Sequence, residues 1–369
     1  IIMRLTRTGT LREGYQLNSK ERVRAAFEHK SPDRVPATMQ AVETAWEKMQ
    51  QYFQVETPDE VMDILEIDTR IMDFPPYIGP KTPDFVNAKG EVVHTHPFGQ
   101  QYVEKWNGVE YNSHTIKRPL EYVETMEELM AFRGWPNPDY FDYEAVKRFC
   151  DQHQDKAIRI GWPGPYQVFL EMYPAESFYM LMAEDPEMVK TMLNRYSEFY
   201  LELYERMFEA GGGAIDLIRP CDDYGTQISL LFSPEMWDEY FAENTKKLVN
   251  LAHKYGCYYL QHSCGAVRQI IPNLIACGVD GLEPIQKVKG MEVDDLKREF
   301  GDKLCFQGGV DTQNLLPFGT PEEVRAETEY IIRTMNVDGG YILGPSQDFE
   351  GDVPVENIIA LYEARKNFI

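Results

Sequence analysis

The sequence predicts an α/β protein with a single (β/α)₈ (TIM) barrel and a β-hairpin insertion after the second strand. Three observations carry this prediction. The 369 residues suit one large barrel. Eight short strand-like runs alternate with amphipathic stretches long enough to be crossover helices. No glycine-rich dinucleotide fingerprint follows the first strand, which makes a doubly wound open sheet the second choice.

The first elements follow in order after an N-terminal extension, residues 1–17. Residues 18–30 (NSKERVRAAFEHK) predict a helix, because Asn18 or Ser19 can cap it and Val23, Ala26 and Phe27 form an apolar stripe. The next predicted elements are a strand over Val35–Met39, a helix over Ala41–Phe53, a helix opened by Thr57 and Pro58, and a strand over Thr69–Phe74. The barrel itself is predicted to run from residue 18 to residue 369.

Residues 76–118 interrupt this alternation. Asn107-Gly108 stands between two strand-like runs, which is a hairpin signal, so β-hairpins are predicted here. Helices are then predicted at about 123–133 and 138–153. The remaining strand-like runs are 157–162, 214–220, 257–262, 279–284, 304–310 and 340–345. With the two early strands they complete eight βα units.

Composition excludes several classes of function. Lys+Arg 37 against Asp+Glu 60 gives a net charge of −23, which disfavours binding to nucleic acid or to anionic lipid. We expect no membrane span and no secretory signal, because no apolar run is long enough. The six cysteines are scattered without a CxxC pair, so reduced thiols in a cytoplasmic protein are expected, most of them small buried apolar groups.

Polar residues follow each strand-like run, and in a parallel barrel these ends meet at one mouth. His262 and Cys264 can reach one cation if the chain turns between them, and Gly265 eases that turn. A buried core histidine beside a free cysteine is the alternative reading. The other polar residues at strand ends are Trp162, Tyr166, Asp222, Asp223, Tyr224, Glu283, Gln286, Asp311, Ser346, Gln347 and Asp348. For Asp222, Asp311 and Asp348, helix capping is a sufficient alternative reason.

Several long motifs resemble the uroporphyrinogen decarboxylase superfamily. They are NSKERVRAAFEHKSPDRVP, DDYGTQISLLFSPEMW, HSCG with GVDGLEPIQ, GGVDTQNLLPFGTPEEVR and GYILGPSQDFEGDVPVENIIALYEA. The resemblance extends from residue 18 to the end of the chain. It implies a single barrel with the site at the C-terminal mouth.

One branch of this superfamily consists of true decarboxylases, which carry an Arg-Gln-Ala-Gly-Arg segment after the first strand to hold a polyanionic tetrapyrrole. Here the matching stretch is Met39-Gln40-Ala41-Val42-Glu43, without arginine. A decarboxylase with a rearranged arginine set, from Arg159 and Arg219, stays an alternative. A non-catalytic barrel that binds a corrinoid or tetrapyrrole is another.

The other branch is similar to corrinoid-dependent methyltransferases, including O-demethylases. The resemblance implies zinc held by His262 and Cys264, but Ser346 stands where relatives have a later cysteine, and we expect Glu283 to be the third ligand. It also implies a small corrinoid-binding protein and a small methylated substrate as partners, with a homodimer as one possible assembly. The predicted catalytic residues are Asp222, Asp223, Tyr224, Glu283 and Gln286, and the predicted substrate contacts are Trp162, Tyr166, Asp311 and Gln347. Methyl donor and acceptor stay open.

Overall fold

The computed structural model describes residues 16–162 and 164–368. The predicted extension therefore lies, except for its last two residues, outside the described residues. The strands in the described part are β1 (Thr69–Met72), β2 (Phe85–Val86), β3 (Val92–Thr95), β4 (Gln101–Trp106), β5 (Tyr111–Lys117), β6 (Ala157–Ile160), β7 (Ile215–Ile218), β8 (Tyr258–His262), β9 (Gly281–Ile285), β10 (Cys305–Gly308) and β11 (Tyr341–Ile342).

Seven of these strands form one parallel sheet in the order β1-β6-β7-β8-β9-β10-β11 within the described residues. Sheet order follows chain order, as successive βα units dictate. The strands are shorter than predicted, because the polar residues at their ends belong to loops. The strands β2 to β5 lie between β1 and β6 in the chain and form a separate antiparallel sheet, with β4 and β5 paired on either side of Asn107-Gly108.

The predicted first strand over Val35–Met39 is not among the seven strands of this sheet in the described residues; the segment makes an isolated parallel bridge from Ala37 to Leu343. Thr38 donates its N–H to the Leu343 carbonyl at 2.9 Å, and Leu343 donates to the Pro36 carbonyl at 2.8 Å. On the other side Asp68 donates to the Ala37 carbonyl at 2.9 Å. The Ala37 N–H goes to the Asp68 carboxylate, also at 2.9 Å, so a side chain replaces the backbone partner. Pro36 has no N–H to extend the ladder.

The helices connect and cover the strands. They are α1 (Ser19–Phe27), α2 (Glu43–Phe53), α3 (Pro58–Ile64), α4 (Met126–Ala131), α5 (Tyr143–Gln152), α6 (Pro165–Met172), α7 (Ala175–Glu184), α8 (Pro186–Gly211), α9 (Pro234–Tyr240), α10 (Ala242–Lys254), α11 (Ile271–Ala276), α12 (Val293–Phe300), α13 (Leu315–Phe318), α14 (Pro321–Met335) and α15 (Val355–Ala364). No helix among the described residues combines the length and apolar character needed to cross a bilayer.

Local sequence explains several helix starts. Asn18, Thr57, Thr125 and Thr320 each accept the backbone N–H of a glutamate three residues later, whose side chain returns to the cap. These capping boxes satisfy backbone donors that the first turn leaves free. Asn18, one of the two caps considered for α1, is the one observed.

Helix α1 closes the end of the sheet where the strands begin. Its Val23, Ala26 and Phe27 pack in a small apolar cluster of their own against Ala157, Leu217, Leu260, Cys305 and Ile342. Beside this cluster the Asp68 carboxylate is fully buried. It lies 3.2 Å from Arg22 Nη1, 2.8 Å from Arg34 Nη1 and 3.8 Å from Arg365 Nη1. The end opposite the polar strand tips is therefore held by a buried charge cluster.

Candidate active site

The candidate site is built where β8 and β9 end side by side. His262 is the last residue of β8 and stands opposite Glu283 of β9 in the parallel register. Both side chains are buried. The Nδ1 atom of His262 lies 2.8 Å from Glu283 Oε1. Adjacent strands thus bring an imidazole and a carboxylate together, as their positions after strand-like runs predicted.

Arg219, just after β7, completes a buried charged group with these two residues. Its Nε donates to Glu283 Oε1, and its Nη2 contacts His262 Nδ1. Gln307 of β10 donates to the second carboxylate oxygen of Glu283. The guanidinium of Arg219 lies over the Trp162 ring, 4.6 Å from the ring centre. Because a buried charge is costly unless it is paired, these contacts hold Glu283 in place.

Burial lowers the pKa of His262 well below its ordinary value, and the positive charges of Arg219 and Arg159 lower it further. The ring is therefore neutral at physiological pH. In the tautomer in which Nδ1 donates to Glu283, Nε2 keeps a lone pair that a metal can take. A carboxylate behind one ring nitrogen is the usual support for a histidine that binds a metal through the other nitrogen.

The Nε2 side of the ring faces sulfur and oxygen atoms. Cys264 Sγ lies 3.4 Å from Nε2, and Asp223 Oδ1 lies 3.6 Å from it. The ligand atoms of Cys221, Asp223 and His262 all lie within 4.8 Å of one another. Histidine nitrogen, cysteine sulfur and carboxylate oxygen are the donors that zinc takes in proteins, so the residues present fit that metal.

Burial raises the pKa of the Cys264 thiol, and the negative charge of Asp223 raises it further. Burial likewise raises the pKa of Cys221 well above its ordinary value. Both side chains are therefore thiols at neutral pH in the protein alone. A bound divalent cation reverses this preference, because coordination to the metal deprotonates a thiol.

The loop after His262 is fixed by backbone contacts. Cys264 donates its N–H to Asp223 Oδ1 at 2.8 Å, and Gly265 donates to Gln286 Oε1 at 2.7 Å. Gly265 has φ +87°, and a Cβ built there would lie 2.5 Å from the Thr226 carbonyl oxygen. Only glycine meets both conditions, which supports the turn that the sequence predicts. Gln286, predicted as catalytic, thus holds this loop.

Glu283 has a different contact from the predicted one. The sequence predicts it as third metal ligand, but its carboxylate lies on the Nδ1 side of His262, with Arg219 and Gln307. Cys264 and Asp223 lie on the Nε2 side. A metal among the Nε2-side donors is therefore separated from Glu283 by the ring, and Glu283 orients that ring.

A second group of predicted residues faces away from His262. Asp222 Oδ1 accepts the Gln167 N–H at 2.8 Å, and the Tyr224 hydroxyl donates to Oδ2 at 3.3 Å. The Tyr166 ring stacks on Tyr224 with centres 5.5 Å apart. These side chains line a cavity of about 10 Å³ among core aromatics. The structure thus separates Asp222, Tyr224 and Tyr166 from the His262 group.

Asp222 carries a perturbed carboxyl. Burial, together with the negative charge of Asp223, raises the pKa of Asp222 to about 7. Between about pH 4 and pH 7 the folded protein keeps a proton that the unfolded chain has lost. Folding stability therefore falls as pH rises through this window, by at most about 1.4 kcal/mol per pH unit from this group.

We expect the Asp222→Asn variant to lose this contribution, so that its stability relative to the wild type improves as pH rises from 5 to 7. Urea unfolding at several pH values measures the difference in slope. Asp151→Asn, at an exposed position paired with Lys147, is the control and should follow the wild-type slope. Parallel pH profiles for the wild type and Asp222→Asn would contradict the prediction.

Of the remaining predicted substrate contacts, Gln347 and Trp162 lie beside the His262 group, and Asp311 does not. Gln347 donates through Nε2 to Cys264 Sγ at 3.3 Å and so belongs to the site. Trp162 borders it, with its ring centre 5.4 Å from that of His262. Asp311 instead accepts the Gln313 N–H at 2.9 Å, a local turn contact and not the helix cap considered as its alternative.

Sequence reasoning missed two residues of the site. From the sequence, Cys221 had no role beyond that expected of most of the six cysteines, and Arg219 entered only as an arginine for a decarboxylase. Arg219 directly follows β7, and Cys221, two residues later, forms a parallel bridge with His262. Position after a strand is the signal that could have found them. A cavity of about 20 Å³ lies beside this group, bordered by Arg219, His262, Glu283, Gln307, Gln347 and Asp348.

The chain is similar to proteins of known description. A family model described as uroporphyrinogen decarboxylase (URO-D) matches residues 108–368. The chain is 23% identical over 215 residues to the methylcobamide:CoM methyltransferase MtaA of Methanosarcina barkeri, a match that covers 58% of this chain and 59% of the relative. It is 24% identical over 186 residues to a uroporphyrinogen decarboxylase of Chlorobium phaeovibrioides, with 50% of each covered. The matches thus span between half and three fifths of these relatives.

Among solved structures, the fold is similar to that of a methyltransferase from Methanosarcina mazei. The TM-score is 0.69 at 19% identity, and the match covers 96% of this chain and 99% of that chain. At this identity the likeness concerns the fold. It places the parallel sheet and the order of its elements in a known architecture.

Proposed function

Because the chain belongs to the uroporphyrinogen decarboxylase family, we propose that it is a methyltransferase of that family. It moves a methyl group from a small methylated or methoxylated compound to a corrinoid, or from a corrinoid to a thiol. The corrinoid is carried by a small partner protein, and the site holds zinc. The observation that carries the proposal is the buried His262, supported by Glu283 on one side and facing Cys264 Sγ at 3.4 Å on the other.

The two arginines near the mouth favour methyl transfer over decarboxylation of a tetrapyrrole. Arg219 is committed to Glu283 and His262. Arg159 donates to Gln40 at 2.8 Å and to Asp73 at 3.0 Å. Among the nitrogens of these two buried side chains, Arg159 Nε and Arg219 Nη1 are left without a partner. Two single donors are a poor clamp for a substrate with many carboxylates.

The chemistry needs a group that neutralises the departing atom of the methyl donor, or that activates an accepting thiol. When bound, zinc would supply a Lewis acid for either task. Glu283 and Arg219 hold the His262 ring in place through contacts at its Nδ1 atom. Trp162 covers the guanidinium of Arg219. Asp223, whose side chain is 36% exposed, places a carboxylate at the mouth.

We also infer that residues 36–38 close the parallel sheet into an eight-stranded barrel. The support is their hydrogen bonding on both sides, to Leu343 beyond β11 and to Asp68 before β1. In a closed barrel all strand ends meet at one mouth, and the antiparallel sheet of β2 to β5 is an insertion outside the ring. A crystal structure with open edges at β1 and β11 would contradict this.

The test of function is a paired assay. The protein is incubated with methoxylated aromatics, or with a methylated thiol, together with a reduced corrinoid protein, and separately with uroporphyrinogen. We expect methylation of the corrinoid in the first mixture and no reaction in the second. His262→Ala should abolish the transfer, whereas His253→Ala, at a partly exposed histidine paired with Asp280, should keep it.

The opposite pattern, decarboxylation without methyl transfer, would overturn the proposal in favour of the decarboxylase alternative. If neither mixture reacts and the protein still binds the corrinoid partner, a non-catalytic barrel is favoured. Equal activity of the wild type and His262→Ala would remove His262 from the mechanism.

A further inference from the structure

We infer that Cys221 is the third protein ligand of the metal, so that the zinc site consists of Cys221, His262 and Cys264. This inference rests on the proposed function only in that it assumes a zinc site at His262. Cys221 follows the end of β7. In the relatives the third cysteine comes later in the chain, at the position of Ser346 here.

Two other residues are excluded as the third ligand by their contacts. Ser346 lies 3.1 Å from both the backbone nitrogen and the hydroxyl of Thr312, so it joins two mouth loops. A neutral hydroxyl is also a poor donor for zinc. Glu283 lies on the Nδ1 side of His262, where Arg219 and Gln307 occupy its oxygens. The third donor must therefore come from another strand.

Cys221 is placed for this role by the sheet. It pairs with His262 in a parallel bridge, and Asp222 donates its N–H to the His262 carbonyl at 3.0 Å, which locks the two strand ends together. Successive side chains of an extended segment point in opposite directions. Asp222 and Tyr224 face the aromatic core, so Cys221 and Asp223 face His262, and their ligand atoms lie within 4.8 Å of the histidine.

The chemistry of the set also fits. Two cysteines and one histidine form a known catalytic zinc set, and two thiolates balance the charge of the ion. Gln347 already directs an N–H at Cys264 Sγ at 3.3 Å, a contact that stabilises a thiolate. Asp223 Oδ1 accepts the Cys264 N–H at 2.8 Å, and the Asp223 carboxylate borders the fourth position of the metal.

The inference is tested by counting sulfur atoms on the metal. Zinc X-ray absorption of the unaltered full-length protein should show two sulfur neighbours at about 2.3 Å. In the cobalt-substituted protein, Cys221→Ser and Cys264→Ser should each halve the thiolate-to-cobalt charge-transfer absorption. The double variant should abolish it. Cys257→Ser is the matched control and should keep the full absorption. This buried thiol contacts the Ile215 carbonyl at the start of β7, whereas the proposed metal site lies beyond the end of that strand.

One sulfur neighbour in the wild type, or full cobalt absorption in Cys221→Ser, would overturn the inference. The wild-type spectrum decides the question even if Cys221→Ser does not fold. A protein that transfers methyl groups without bound zinc would overturn the inference and the zinc of the proposed function, and would leave its methyl transfer standing. A two-sulfur zinc site in a protein without methyl transfer would support the inference and overturn the proposed function.

Discussion

The Glu283→Gln variant is expected to lose about 3–5 kcal/mol of folding stability, because it leaves the buried guanidinium of Arg219 without its countercharge. The same change should weaken zinc binding by about 10- to 100-fold, since the carboxylate that orients His262 is gone. Urea unfolding of the metal-free protein measures the first effect. Competition with a chelator of known affinity measures the second.

A double variant separates these two effects. Adding Arg219→Met to Glu283→Gln removes the unpaired charge, so most of the lost stability should return. Zinc affinity should stay low, because His262 still lacks its carboxylate. If Glu283→Gln alone costs less than about 1 kcal/mol, the buried pair does not have the energetic role that its geometry indicates.

The second large effect is expected at the other end of the sheet. Asp68→Ala should destabilise the protein by about 3–5 kcal/mol, because it removes the buried carboxylate that lies beside Arg22, Arg34 and Arg365. It also removes the acceptor of the Ala37 N–H. Chemical unfolding measures the loss.

The matched control for Asp68→Ala is Asp151→Ala, which removes an exposed pair with Lys147 on one helix face. We expect a cost of no more than about 0.5 kcal/mol there. Zinc affinity of folded Asp68→Ala should equal that of the wild type, since the cluster lies where the strands begin and the site lies where they end. A cost similar to that of the control would contradict a stabilising role for the Asp68 cluster.

Much of the architecture follows from local sequence. Alternating strand-like and amphipathic runs predicted the seven parallel strands of the main sheet, and residues such as Asn18 and Thr57 mark their helices through caps formed within four residues. The segment at Val35–Met39 shows the limit of this reasoning. Its composition favours a strand, but Pro36 and the Asp68 carboxylate interrupt its ladder, and Asp68 is far away in the chain.

The sequence by itself determined that His262, Cys264, Glu283 and Asp223 stand at strand ends, because strand periodicity is local. It did not determine which way neighbouring side chains point. Tertiary structure directs Cys221 and Asp223 to His262 and turns Asp222 and Tyr224 into the aromatic core. It also places Arg219 on Glu283, so that this carboxylate supports the histidine. Such choices depend on register and packing between strands, because a shift of one residue would exchange the two faces.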